Sequence, residues 1–160
     1  MTVVIAGEAT QLIHRPAKDI YDFVLDLDSY KKADTKIAEV FSVRWSGDQV
    51  EILYRGVLRG IPSPPAVQIA TVQPGRRIDV RSKPGTLAHW MVGFHGVFTF
   101  EELAGGATRV FHREEFTFRA PFKWIAEPYL AAWLAEDTRQ EMVRMKALLE
   151  GTAQASRSSG

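Results

Sequence analysis

The sequence predicts an α+β fold in which a curved, seven-stranded antiparallel sheet wraps around a long C-terminal helix, an arrangement known as a helix grip. Three observations lead to this prediction. One strand and two short helices open the chain, a period of two then continues to residue 118, and a helical repeat follows. Because a straight helix does not fill the concave face of a curved sheet, we expect a ligand-sized apolar cavity between them.

The N-terminal segment predicts one strand and two helices. The strand is expected from Val3 to Ile13. Pro16 suits the first turn of a helix, and the apolar residues of Ala17–Leu27 recur at spacings of three and four, which indicates one buried helical face. Polar residues then interrupt the pattern, so a second short helix is predicted around Ser29–Lys32.

Six further strands are predicted from the alternation of apolar and polar residues. Short turns that contain glycine separate several of them. The segment Gly60–Pro65 is expected to be an exposed loop, because proline lacks the donor that a sheet requires. The predicted strands are Ile37–Trp45, Val50–Arg59, Val67–Gln73, Arg77–Ser82, Leu87–Leu103 and Thr108–Phe118.

The C-terminal part predicts one long helix over Tyr129–Glu150. Pro128 is expected in its first turn, and Gly151 is expected to end it. The residues that recur at helical spacing are Leu130, Leu134, Thr138, Met142 (or Glu141), Met145 and Leu149. Residues 152–160 are small and polar. We therefore expect a single domain over residues 1–150 and a disordered tail over residues 151–160.

Composition and charge narrow the class of protein. The chain has 160 residues, an apolar fraction of 46% and a net charge of +1, which does not favour binding to nucleic acid. It contains no cysteine, so it forms neither disulfides nor thiolate metal sites. No signal peptide and no membrane-spanning segment is visible. We expect a cytoplasmic protein without stable membrane insertion.

Segments at both ends of the chain carry a family resemblance. They are Pro16–Val24 with Asp26 and Tyr30, then Gly106–Val110, and the helix that ends in Met145–Glu150. Together with the order of elements, they resemble the START/Bet v 1-like (SRPBCC) superfamily, in particular its bacterial polyketide cyclase/dehydrase branch. That resemblance implies a hydrophobic small-molecule ligand, either a lipid-like or a polycyclic, polyketide-like compound. Coenzyme-Q-binding relatives carry a tyrosine–proline pair after the first helix, whereas Tyr30 precedes lysine here.

The last strand supplies the first candidate site residues. If Val110, Phe116 and Phe118 face the cavity, the period of two also directs His112 and Glu114 inward. These two side chains either contact the ligand or are held by other polar partners. In an enzyme they would divide acid and base roles, together with Tyr54, whose hydroxyl is expected to enter the cavity.

Aromatic residues supply the remaining candidates. Trp90, Phe94 and Phe98 share one face of the preceding strand and, with Phe116, are expected to line the cavity. Trp124, Tyr129 and Trp133 are expected near its mouth, where they contribute packing, a gate or a partner surface. The four histidines, at 14, 89, 95 and 112, show no metal-ligand spacing, so we expect neither a metal nor a cofactor.

Three function hypotheses follow. The first is a protein that binds or carries a hydrophobic small molecule. The second is a polyketide cyclase, aromatase or dehydratase that uses the acid and base groups named above. The third is an interaction module with a vestigial cavity. Whether the chain forms a homodimer stays open.

Overall fold

The computed structural model describes the backbone of residues 2–158 and the side chains of residues 2–151. The helices in this part of the chain are α1 (Ala17–Leu25), α2 (Leu27–Tyr30), α3 (Leu87–Met91), α4 (Lys123–Ile125) and α5 (Ala131–Ser158). The strands are β1 (Val3–Ile13), β2 (Ile37–Ser46), β3 (Gln49–Leu58), β4 (Ile61–Pro62), β5 (Ala66–Gln73), β6 (Arg77–Ser82), β7 (Val92–Glu102) and β8 (Thr108–Phe118).

The strands form one antiparallel sheet in the order β1-β8-β7-β6-β5-β3-β2, and the two-residue strand β4 pairs with β3 beside this path. Strand β1 returns beside β8, so the N- and C-terminal strands are neighbours. The sheet stays open, with β1 and β2 at its edges. Helix α5 packs across β1 and β8. The predicted helix grip is confirmed.

A glycine sets the distance between α5 and the sheet. A Cβ atom at Gly7 of β1 would lie 2.3 Å from the hydroxyl oxygen of Thr138 and 2.8 Å from the carbonyl oxygen of Leu134. Both separations are shorter than van der Waals contact, so no other residue fits here without a shift. This close approach brings the middle of α5 next to the interior side chains of β8.

The predicted strand Leu87–Leu103 is wrong in its first five residues, which form helix α3. The Thr86 hydroxyl oxygen accepts a hydrogen bond from the amide nitrogen of His89 at 3.1 Å and caps this helix. The capping interaction satisfies an amide that a strand would have had to pair. Strand β7 therefore begins at Val92.

The long helix also differs from the prediction at both ends. Residues Ala126–Leu130, with Pro128 among them, form a π-helical turn, and α5 begins at Ala131. Helix α5 continues past Gly151 to Ser158, since an exposed glycine inside a helix costs only about 1 kcal/mol. The side chains of residues 152–160 lie outside the described residues, so the disordered tail stays a prediction.

The interior contains two apolar clusters. The larger one joins α1 and α2 to the central strands and to the second half of α5, with Ile20, Ile78 and Met145 at its centre. The smaller one packs the π-helical turn and the start of α5 onto β1 and β8, through Leu130, Leu134 and Phe116. A cavity lies between the sheet and these helices, and side chains from both clusters line it.

Candidate functional site

The cavity has a volume of about 290 Å³ and a wall that is mostly apolar. Its apolar lining from the sheet comes from strands other than β1 and includes Val40, Ile52, Ile78, Val80, Phe94 and Phe98. Polar side chains are concentrated where the segment before β2 meets β8. Tyr30, Asp34, Lys36, His112 and Glu114 lie on the wall there.

Lys36 is the centre of this polar region. Its Nζ atom lies 2.9 Å from Asp34 Oδ1, 3.3 Å from Glu114 Oε2, 2.8 Å from Asp137 Oδ2 and 3.0 Å from Glu141 Oε2. The lysine side chain is only 6% exposed, and the carboxylates come from the loop before β2, from β8 and from α5. One ammonium group therefore joins three separate parts of the fold. We call these five residues the Lys36 cluster.

His112 lies beside the Lys36 cluster. Its Nδ1–H donates to the carbonyl oxygen of Val97 at 3.0 Å. Its Nε2 atom lies 3.2 Å from Glu114 Oε1 and 3.4 Å from Glu141 Oε1, but neither contact has hydrogen-bond geometry. They are ion-pair contacts. The imidazole also stacks on the Phe98 ring, with 3.8 Å between centroids.

Two hydroxyl groups complete the contacts of the buried carboxylates. The Tyr30 hydroxyl donates to Glu141 Oε1. The Thr138 hydroxyl has two acceptors within reach, Glu114 Oε2 at 3.2 Å and the carbonyl oxygen of Leu134 at 2.9 Å. Because Thr138 is the residue that Gly7 accommodates, the close approach of α5 is what brings this hydroxyl to Glu114.

Asp34 and Tyr54 have hydrogen-bonding capacity left. Asp34 Oδ1 accepts from the backbone amide of Lys36 at 3.0 Å, but Asp34 Oδ2 has no donor among residues 2–151. The Tyr54 hydroxyl accepts from Gln68 Nε2 at 2.8 Å, and its own proton has no acceptor within that same part of the chain. Both side chains line the cavity, so both are available to a ligand.

The electrostatics of the site fix its protonation. Burial opposes the charge of Lys36, but its four carboxylates outweigh burial and hold the pKa of the ammonium well above its usual value. Burial likewise opposes the charge of His112, and the carboxylates of Glu141 and Glu114 raise its pKa to about 10. At neutral pH both residues are therefore cations. They cannot act as general bases.

Burial also shifts the pKa values of two tyrosines and one aspartate in the site, in each case toward the uncharged form. Burial, with the nearby Glu141 carboxylate, raises the pKa of Tyr30 well above its usual value. Burial also raises the pKa of Tyr54, with contributions from the charges of Asp34 and Glu114. Burial and the charge of Glu141 raise the pKa of Asp34, which brings this carboxyl closer to the range useful for proton transfer.

Two groups of side chains have the atom types and spacing of metal ligands. In His112, Glu114 and Glu141, one potential ligand atom of each lies within 4.8 Å of the others, and the same holds for Asp34, Asp137 and Glu141. The Lys36 ammonium already contacts carboxylates of both groups. A metal ion would have to displace this buried cation and compete with a protonated His112. We therefore assign no metal to these groups.

The residues predicted from the sequence divide into two sets. The structure places Tyr54, Phe94, Phe98, His112, Glu114 and Phe116 on the cavity wall. His112 and Glu114 are each 2% exposed, and they contact each other directly. Their part in binding or catalysis stays a prediction.

The other four aromatic candidates do not line the cavity. Trp90 lies on helix α3 instead of a strand, is 51% exposed and packs edge-on against Phe122. Trp124 and Tyr129 point outward from the irregular turns before α5, with exposures of 67% and 41%. Trp133 packs against the smaller apolar cluster. The turns of α3 and α4 and the π-helical turn, which alternation does not reveal, account for these differences.

Sequence reasoning missed most of the Lys36 cluster. Asp34 and Lys36 belong to a polar loop with no periodicity, and Asp137 is one of many charged residues on α5. The one signal that could have found a member is Glu141. It shares the buried stripe of α5 with Met142 and Met145, and a carboxylate at such a position must have a buried partner.

Comparison with known proteins now gives the family. A family model described as polyketide cyclase / dehydrase and lipid transport matches residues 5–150. The chain belongs to this family. No curated protein matches the sequence significantly. The resemblance to this branch that the sequence suggested is confirmed.

Solved structures show the same fold at low sequence identity. The Zhui aromatase/cyclase from Streptomyces sp. R1128 has 16% identity and a TM-score of 0.69, with 99% of each chain covered. A protein of Thermus thermophilus has 16% identity and a TM-score of 0.68, covering 92% of this chain and 98% of its own. Truncated norcoclaurine synthase from Thalictrum flavum has 12% identity and a TM-score of 0.61, covering 92% and 94%. Identities this low establish the fold alone.

No helix among the described residues is long and apolar enough to cross a membrane.

Proposed function

We propose that this protein binds a mostly apolar small molecule inside the cavity, with the polar end of that molecule directed at Asp34 and Tyr54. The observation that carries the proposal is the unequal distribution of apolar and polar side chains on the cavity wall. Apolar side chains form most of it, and Asp34 and Tyr54 line it with hydrogen-bonding atoms that are not used within residues 2–151. Small-molecule sites commonly combine a hydrophobic wall with a few polar groups that fix orientation.

The family supports this proposal at a general level, because its description covers both cyclisation and lipid transport. The cavity volume of about 290 Å³ is just below the range that is usual for ligand pockets, about 300–1,000 Å³. A compact ring system or a short lipid-like chain suits that space. We therefore favour a ligand of two or three rings over a long-chain lipid.

The test uses N-phenyl-1-naphthylamine, a neutral fluorescent probe, in a titration. We expect saturable binding of one probe per chain. A Val80→Phe variant should weaken binding at least about tenfold, because Val80 lines the cavity and the larger ring occupies part of it. Val143→Phe, at a position on α5 that is 47% exposed, is the matched control and should bind as the wild type does. Equal binding by both variants would place the probe elsewhere.

The second candidate is an enzyme of the cyclase or dehydratase type. It is favoured by three different ionisable groups that line the cavity: Asp34 with a raised pKa, Tyr54 as a neutral hydrogen-bond donor and His112 as a cation. In such an enzyme, Asp34 Oδ2 removes a proton from the carbon atom next to the carbonyl of a ketone substrate. The Tyr54 hydroxyl donates to the ketone oxygen, and His112 stabilises the negative charge that develops.

Proton exchange tests this candidate without knowledge of the substrate. The protein should accelerate deuterium incorporation next to the carbonyl of 2-tetralone in D₂O, followed by NMR. An Asp34→Asn variant should lose that acceleration, whereas the neutral probe should still bind. If the wild type binds the ketone but does not accelerate the exchange, the enzyme hypothesis is refuted and only the binding function remains.

Two expectations from the sequence stay predictions, namely the cytoplasmic location and the absence of nucleic-acid binding, and the question of a homodimer stays open. The interaction-module hypothesis depended on a collapsed cavity, and the volume found here does not favour it. Size-exclusion chromatography with light scattering would determine the oligomeric state directly.

A further inference from the structure

Building on the proposed binding function, we infer that the polar end of the ligand is a protonated amine, that Asp34 receives it, and that the cavity rejects carboxylates. The inference goes further than the proposal above because it fixes the charge of the ligand. It rests on two observations, the balance of charges around the Lys36 cluster and the unused oxygen of Asp34.

The charge balance is negative. Three cationic side chains contact the carboxylates of the polar region, namely Lys36, His112 and Arg144. The Nη2 atom of Arg144 lies 3.8 Å from Asp137 Oδ1. Four carboxylates face them from the loop before β2, from β8 and from α5: Asp34, Glu114, Asp137 and Glu141. Among the described residues, four acids against three cations leave an excess of one negative charge.

The excess is located at the cavity wall. Glu114 and Glu141 each contact both Lys36 and His112, and Asp137 contacts Lys36 and Arg144. Asp34 has Lys36 as its single cationic partner and uses only Oδ1 for it. Its side chain is nine-tenths buried, it lines the cavity, and Oδ2 has no donor within residues 2–151.

A carboxylate oxygen that has no protein donor and lies on the wall of a mostly apolar cavity binds most strongly to a donor that carries a positive charge. An ammonium group supplies both the missing charge and the missing donor. An alcohol supplies the donor alone. A carboxylate ligand supplies neither and would add a second negative charge beside Asp34, so its affinity should be lowest.

Three ligands on one skeleton test this order. They are 2-(2-naphthyl)ethylamine, 2-(2-naphthyl)ethanol and 2-naphthylacetic acid, each used at pH 7 to displace N-phenyl-1-naphthylamine from the wild-type protein. We expect the amine to bind about tenfold more tightly than the alcohol, the size expected for one charge-assisted hydrogen bond. The acid should bind at least tenfold more weakly than the alcohol.

Two variants identify the receiving group. Asp34→Asn should reduce the affinity for the amine about tenfold, so that the amine no longer binds more tightly than the alcohol. Asp48→Asn, in the exposed turn between β2 and β3, is the matched control and should retain the full preference for the amine. If the Asp34 variant does not fold, the three affinities of the wild type still decide the charge preference.

The outcomes separate this inference from the proposed function. An acid that binds as tightly as the amine would overturn the charge inference and leave the binding function intact. An amine preference that survives in Asp34→Asn would overturn the assignment to Asp34. Failure of the neutral probe and of all three ligands to bind would instead refute the proposed function itself.

Discussion

Replacement of Lys36 by methionine tests whether the buried ion cluster holds helix α5 to the sheet. Methionine keeps most of the apolar stem and removes the ammonium that lies 2.8–3.3 Å from four carboxylate oxygens. Breaking a buried ion pair by removing one partner costs about 3–5 kcal/mol, because the remaining charge stays buried. Here several carboxylates lose their shared partner, so we expect the upper part of that range.

Urea denaturation at pH 7, followed by tryptophan fluorescence, measures the loss. With a denaturant dependence of about 2 kcal/mol per molar, a loss of about 5 kcal/mol would move the midpoint by about 2.5 M. The deficit should shrink as the pH falls, because carboxylates that lack a cation in the folded state take up protons more readily than those of the unfolded chain. The assay is therefore repeated at pH 5.

The matched control is Lys18→Met. Lys18 pairs with Asp22 on the surface of α1, and the two side chains are 78% and 53% exposed. Exposed pairs contribute little, so the midpoint of this variant should equal that of the wild type. If Lys36→Met also unfolded within about 1 kcal/mol of the wild type at pH 7, the cluster would not carry the buried charges described above.

Three further predictions concern the packing of helix α5 and the buried charges beside it. Because the folded-state pKa of His112 is about 10 against 6.5 unfolded, the stability it contributes is complete below pH 6.5. Between pH 7 and 10 the wild-type unfolding free energy should then fall by up to about 1.4 kcal/mol per pH unit, and His112→Phe should flatten that fall in urea titrations. Gly7→Ala should cost about 1–3 kcal/mol, because its Cβ collides with Thr138, and an unchanged thermal midpoint would contradict the close approach. Leu134→Asp, at a fully buried position, should cost more than about 4 kcal/mol, whereas Val143→Asp on the exposed face of α5 should melt like the wild type.

The fold was predictable because each of its main elements has a local signal. The alternation in Thr108–Phe118 indicates a strand with one buried face, and His112 and Glu114 do lie in the interior. Helix α3 was missed because His89 and Met91 continue the alternation of the following strand. The signal for the helix is a single capping residue, Thr86, three positions before His89.

The centre of the site could not be predicted from local patterns. Lys36 and Glu141 are 105 residues apart, and their contact depends on how the loop before β2 packs against α5. Periodicity reports which face of an element is buried, but it does not report which elements face each other. A buried glutamate on α5 indicates that a cation must exist, yet any of the chain's 20 lysine and arginine residues could have supplied it.

The shared ammonium of Lys36 has a consequence for how this protein can change over evolutionary time. Its four acidic neighbours are constrained together, because losing the lysine alone leaves their charges uncompensated, and adding an acid alone has the same effect. We therefore expect substitutions here to be tolerated only in charge-balanced combinations. Relatives without a cation at position 36 should therefore also have lost acids at 137 or 141. Apolar wall residues such as Val80 carry no charge, so a change there leaves no buried charge uncompensated and alters only the shape of the cavity.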